Sequence, residues 1–260
     1  MPRVERDARV MLETLRARCL ERGLDVHGAC ALGTYEAATS GSGASMRTAS
    51  SDDRACVALV GNSRALWGSF VDALMVEPGL DLESYVRRTV VTAAAAAARD
   101  GGGAATRVYW ASDVDAGKVV AIQRLAECCG VAYLEESTHQ SVHAEFGPWV
   151  AFRAAVVFDD ARGPSEEEDA RKRMTACPAS DDAVAKAKAA FDIAVERYQA
   201  SNGDDAELWK FWLAARVAME DGDKFAKHRY YDEQILWHYD VDREGVRANI
   251  AARHRAAADL

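Results

Sequence analysis

His143–Val157 reads HAEFGPWVAFRAAVV, an apolar run with a single arginine inside it. From Trp149 onward the residues are β-branched, aromatic or small, which predicts a buried strand, and strict alternation places Trp149, Ala151, Arg153, Ala155 and Val157 on one face. Arg153 therefore points where apolar side chains point, and the alanines two residues to either side leave room beside it. A guanidinium keeps its proton, so burying it requires an anion, either a carboxylate of the protein or one brought by a ligand. The plainer alternatives are a structural arginine–carboxylate pair or an arginine reaching out past a sheet edge.

Working outward, Cys56–Val60 (CVALV) predicts a second buried strand that ends in Gly61-Asn62-Ser63, and helical spacing follows over Ala65–Met75 through Leu66, Phe70 and Leu74. A strand-to-helix turn of this kind can offer backbone N–H groups to an anion, although three such residues are a weak signal. Further expected helices are the N-terminal one carrying Met11, Leu12, Leu15 and Cys19 on one face, then Leu82–Asp100 with its alanine run Ala93–Ala98, and Gly117–Gly130. Gly23–Tyr35, Arg107–Ala111 and Val131–Glu135 read as extended, Ser40–Asp53 as a loop and Arg162–Ser180 as a charged linker. Two amphipathic helices, Asp181–Tyr198 and Asp204–Glu220, precede a helix-rich tail over Lys224–Arg255. Strands and helices mix without a repeating βαβ period, so the expected class is α+β in a single domain over residues 1–260, with a core at about 12–160 and a helical part at about 181–255.

Composition narrows the function classes. A chain of 260 residues with 49% hydrophobic content can bury a large core, while a net charge of −9 argues against a nucleic-acid groove or an anionic membrane surface as the main partner. No apolar run approaches the length of a membrane span. The stretch MPRVERDARVMLETLRARCLERG is Arg-rich like a transit peptide, yet Glu5, Asp7, Glu13 and Glu21 interrupt it, and the expected location is the cytoplasm. Six scattered cysteines form no CxxC and no metal-ligand spacing, so they read as reduced, mostly buried thiols. His139 and His143 are four apart at the start of an expected strand, where that spacing does not converge on zinc, and no metal site is expected. There is no GxSxG, Walker loop or GxGxxG, nor an AspxHisxxGly arrangement.

His143, Phe146, Gly147, Trp149, Ala151, Arg153 and Val156–Val157 together resemble the corresponding strand of the CblC family, intracellular cobalamin-processing proteins similar in fold to flavin nitroreductases. Arg229-Tyr230-Tyr231-Asp232-Glu233-Gln234, then Tyr239 and Arg247, resemble a second family segment at matching spacing. Gly23–Glu36, Lys118–Tyr133 and Cys177-Pro178 agree more loosely, so the resemblance spans most of residues 12–250. It implies a nitroreductase-like α+β fold, a mixed sheet flanked by helices with a helical C-terminal cap.

The resemblance further implies a cytosolic enzyme that binds cobalamin base-off and removes its upper axial ligand, by glutathione-dependent dealkylation or by reductive decyanation with FMN or FAD. The thiol's carboxylates would be held by Arg153, Arg247 and Arg216, the last on the amphipathic helix beside Trp212 and Ala215. Corrin contacts would come from Val120, Ala121, Ile122 and Gln123 on the helix, Leu134, Glu135 and Glu136 after it, and Ser141 and Phe152 around the strand, Phe152 through its backbone because alternation turns its side chain away from Arg153. Where the family has a helix histidine this chain has Glu127, and where it has tyrosines this chain has Leu134 and Glu135, departures that bear on which corrinoid is preferred. Expected partners are cobalamin, glutathione and a cobalamin-trafficking protein, with room for a ligand-dependent homodimer. Two other readings stay open: a non-catalytic cobalamin chaperone, and a flavin reductase of the nitroreductase-like group with another substrate.

Overall fold

The computed structural model describes residues 6–258, with side chains from 8 to 256. The first five residues of the Arg-rich N-terminal stretch lie outside the described residues. In chain order the elements are β1 (Arg6–Asp7), α1 (Ala8–Leu20), β2 (Val26–Ala31), α2 (Leu32–Ala38), β3 (Ala55–Asn62), α3 (Leu66–Val76), α4 (Leu82–Asp100), β4 (Thr106–Trp110), α5 (Ile122–Cys128), β5 (Ala132–Glu135), β6 (Gln140–His143), β7 (Ala151–Arg162), α6 (Glu166–Lys172), α7 (Asp181–Ser201), α8 (Leu208–Ala218), α9 (Asp223–Ala226), α10 (Asp232–His238) and α11 (Arg243–Ala258).

β7 organises the fold. Antiparallel β3 occupies one of its edges, antiparallel β4 and then parallel β1 share the other, and β2 extends the sheet beyond β3. Its residues Ala154–Phe158 are all fully buried, as a strand covered on both faces demands. Ala154, Val156 and Phe158 pack with Met11, Leu15, Phe70, Val86 and Val90 of α1, α3 and α4. Ala155 and Val157 pack on the other face with Tyr35 of α2 and Leu125 of α5. The alanine run of α4 belongs to the first of these cores, its small side chains at Ala93, Ala94 and Ala97 letting α1 lie close alongside. The architecture is a mixed sheet flanked by helices.

Beyond the sheet, β5 and β6 form a separate hairpin whose turn holds His139 at φ 53°. α7 and α8 pack as a helical pair, and Val142 of β6 sits in a small core with Ala183, Ala187, Met219 and Phe225. Gly147 is required there: its φ is +58°, and a Cβ would lie 2.3 Å from the Phe225 ring.

Several expectations change. Gly23–Tyr35 is not extended throughout, because Leu32 opens α2, whose Leu32 and Tyr35 turn into the core. The expected charged linker Arg162–Ser180 contains α6, started by a capping box between Ser165 and Glu168. α5 begins at Ile122 rather than Gly117, so Val120 and Ala121 precede the helix. Trp149 lies before β7, not within it.

The largest correction concerns alternation in β7. Val60 pairs with Ala154 but Gly61 pairs with Phe152, so the register shifts by one and Arg153 has no opposite residue on β3. An extra residue of this kind kinks the strand and re-aims its side chains. Phe152 accordingly packs against the same core face as Ala155, against strict alternation, and it also lines the cavity beside Arg153. Gly61 is needed at this point because a Cβ would meet the Ala151 carbonyl oxygen at 2.8 Å.

Candidate functional site

The register shift places Arg153 at one wall of a cavity of about 440 Å³, a size in the range of small-ligand sites. β7 supplies Ala151, Phe152 and Arg153, α5 supplies Ile122 and Gln123, the β5–β6 hairpin supplies Thr138–Ser141, and α7, α8 and α10 close it with Phe191, Trp212, Arg216 and His238. Its residues include two arginines and no aspartate or glutamate.

The two guanidiniums are held differently. Arg153 donates its Nε–H to Asn62 Oδ1 at 2.7 Å, while Nη1 and Nη2 make no hydrogen bond and no carboxylate pairs with the residue among the described residues. The anion that the sequence demanded is thus absent from the protein itself, and burial pushes the Arg153 pKa down. Arg216 donates from Nε to the Pro148 carbonyl at 2.8 Å and from Nη2 to the Val150 carbonyl at 2.9 Å. Its guanidinium carbon also lies 4.7 Å from the ring centroids of both Trp149 and Tyr230. Arg216 is therefore clamped as a fixed positive charge that ties α8 to the start of β7, and Arg153 keeps the open fork.

His238 contacts Arg216 Nη1 through Nε2 at 3.4 Å. Although the residue keeps an exposed surface, desolvation first, then the charges of Arg216, Arg153 and Arg243, lower its pKa to about 3. A neutral imidazole adds no third positive charge and leaves Nε2 free to accept from Arg216. The expected result is an NMR titration in which His238 stays neutral down to about pH 4. The unfolded chain takes up a proton near pH 6.5 that the native state refuses, so this contribution to stability is full above pH 6.5 and is lost as pH falls toward 3. His238→Asn should then flatten the thermal midpoint against pH between 4 and 6, and an unchanged slope would show that His238 titrates normally.

Of the residues expected from the sequence, the cavity brings together Arg153, Arg216, Ile122, Gln123, Ser141 and Phe152. Arg247 is placed elsewhere: it donates to the Pro78 carbonyl at 2.7 Å and lies 4.7 Å over the Trp237 ring, between α11 and the end of α3. Val120 and Ala121 pack into the core below, Ala121 donating its N–H to the Tyr35 hydroxyl at 2.9 Å. Leu134 is buried opposite Ser141, Glu135 accepts from Ser137 at the hairpin turn, and Glu136 pairs with Arg124 on the surface. Gln140, His238 and Val150 were not legible beforehand, since nothing in their local sequence distinguishes them. Gln140 Oε1 and Ser141 Oγ are buried at the cavity without a hydrogen-bond partner, two acceptors suited to amide or ammonium donors on a ligand.

No cysteine lines the cavity. Burial pushes the Cys19 and Cys56 thiols to about 12 and Cys128 to about 11, so these three are protonated at neutral pH and cannot act as thiolates there.

Neither a protein-family profile nor a curated protein sequence matches the chain. A solved structure does: the B12-trafficking protein CblC of C. elegans, described as a homologue of human MMACHC, superposes with a TM-score of 0.58, covering 90% of this chain and 96% of that one. The chain folds like a CblC protein. Identity across the superposition is 12%, so the likeness is one of fold, and it extends over both the sheet and the helical C-terminal part. No helix among the described residues is long and apolar enough to cross a membrane.

Proposed function

We propose that this protein binds a cobalamin and removes its upper axial ligand, with glutathione as the thiol. The observation that supports this most is the pairing of an unneutralised Arg153 fork with the fixed charge of Arg216 in a carboxylate-free cavity, within a CblC-like fold. Glutathione carries two carboxylates and a thiol, and a guanidinium fork binds a carboxylate bidentately. The corrin would enter as substrate, its amide fringe meeting Gln140, Ser141 and Gln123 and its apolar surface meeting Ile122, Phe152 and Trp212.

The chemistry asks little of the protein beyond position. The glutathione thiolate attacks the cobalt-bound carbon, a sulfur–carbon bond forms, and the cobalt–carbon bond breaks with its electron pair left on cobalt as cob(I)alamin. With no cysteine in the cavity, the thiol has to be brought in by the ligand. The lower base would be displaced by protein walls, since the chain offers no AspxHisxxGly histidine to cobalt. For the flavin implied by the resemblance, FMN or FAD, the aromatic walls Phe152, Phe191 and Trp212 lie where the corrin edge would sit, and no residue set distinguishes the two.

The test is the visible spectrum of methylcobalamin mixed with the purified protein. Its bands should move to shorter wavelength on binding and change again when glutathione is added under nitrogen. An unchanged spectrum at saturating protein would refute base-off binding and with it this reading, and a shift that glutathione leaves unaltered would favour a carrier without chemistry.

A further inference from the structure

The Arg153 side chain is oriented by a part-buried chain of polar groups that starts on the other side of β3. Asp25, between α1 and β2, accepts from the Ser63 N–H at 2.7 Å and from the Ser63 hydroxyl at 2.6 Å. Asn62, fully buried at the end of β3, donates its Nδ2–H to the Ser63 carbonyl at 2.8 Å. That bond settles which way the amide faces, and its Oδ1 then accepts from Arg153 Nε at 2.7 Å. The pairing exploits the register shift, because Asn62 stands opposite Ala151 while Arg153 has no opposite residue.

An amide is an unusual sole partner for a part-buried arginine. A carboxylate in the same place would form a charge-assisted pair and neutralise the guanidinium. An asparagine anchors Nε without neutralising it, so the positive charge and the Nη1/Nη2 edge stay available in a part-buried site that already holds the charge of Arg216, where an unpaired charge is costly to keep. Such a cost persists only where something else supplies the anion.

We propose that Asn62 is a positioning residue that holds the Arg153 fork open for a ligand carboxylate, and that an amide instead of a carboxylate at position 62 is what makes the cavity an anion site. The inference rests on the reading that glutathione is the thiol, and it deepens that reading by naming the residue that sets anion affinity. It separates two effects that a purely structural role would not separate. Both variants lose the Nδ2 donor to the Ser63 carbonyl, so that loss cancels between them: Asn62→Asp keeps shape and the acceptor toward Arg153 but neutralises its charge, whereas Asn62→Leu keeps volume and the charge but releases the anchor.

The experiment uses the full chain without cobalamin and S-methylglutathione as an unreactive probe, titrated by calorimetry. The affinity order should be Asn62, then Asn62→Leu weaker by a few-fold, then Asn62→Asp weaker by tenfold or more, with methylcobalamin binding unaltered in all three. An Asn62→Asp protein that binds within threefold of the parent, or better than Asn62→Leu, overturns the proposal. If either variant does not fold, the parent protein decides by side-chain NMR: the Arg153 Nη signals should move with the probe while the Nε–H stays protected from exchange, and unmoved Nη signals overturn it. If the parent binds no S-methylglutathione, formate is titrated instead. Formate-dependent shifts at Arg153 would keep the Asn62 role and discard glutathione, and their absence would discard both.

Discussion

Glu220→Ala should lower the unfolding free energy by about 3 kcal/mol, the largest single effect expected outside the hydrophobic core. Glu220 is 3% exposed at the end of α8 and accepts from Trp149 Nε1 at 2.7 Å and from Arg229 Nε at 2.7 Å, with a second bond from Arg229 Nη2. Removing it strands the indole N–H and a guanidinium at once. The Arg229 side chain is 43% exposed and can turn to water, which holds the estimate to the low end of the range for broken buried pairs, about 3–5 kcal/mol. Glu220→Gln retains an acceptor for Trp149 and should cost about 1 kcal/mol. Urea unfolding with an unchanged m-value measures both, and a loss below about 1 kcal/mol for the alanine variant would mean that the network is ornamental. The effect should reach the cavity, because Trp149 forms one wall of the clamp around Arg216.

Arg153→Met should reduce glutathione-dependent turnover of methylcobalamin by about a hundredfold at subsaturating glutathione, the equivalent of two charge-assisted bonds of about 1.5 kcal/mol each. Arg153→Lys keeps the charge and loses the planar fork, and should weaken apparent glutathione affinity by about tenfold. Corrin binding should change little in either. Stability supplies a separate criterion. A structural arginine leaves an orphaned carboxylate when removed, whereas Arg153→Met leaves only the buried Asn62 Oδ1 without its donor and takes away an unneutralised charge, so the loss of stability should stay below that of a broken buried ion pair, about 3–5 kcal/mol. A variant that unfolds, or one that turns over normally, would return Arg153 to a structural role.

Much of the secondary structure was legible because it depends on neighbours in sequence. Leu82–Asp100 is helical over those residues, its alanines and the glycines that follow setting both its packing and its end. Arg107–Ala111 and Val131–Glu135 were legible as strands to within a residue at each end. α6 was missed although its signal was present, a serine at 165 with glutamate three residues on, because the charge around it reads equally well as a linker.

The candidate site divides along the same line. That Arg153 sits among apolar residues and needs an anion follows from its own strand, since side-chain alternation and the permanence of the guanidinium charge are local properties. Which residue meets it is not local. The register shift opposite Arg153 arises between β3 and β7, strands about ninety residues apart, and it turned Phe152 onto the core face of Ala155 against strict alternation. Arg216 and Arg247 both read as helix arginines. Tertiary packing alone clamped the first between Trp149 and Tyr230 and placed the second on Trp237 and Pro78, because a helix periodicity defines a face without naming what that face will meet.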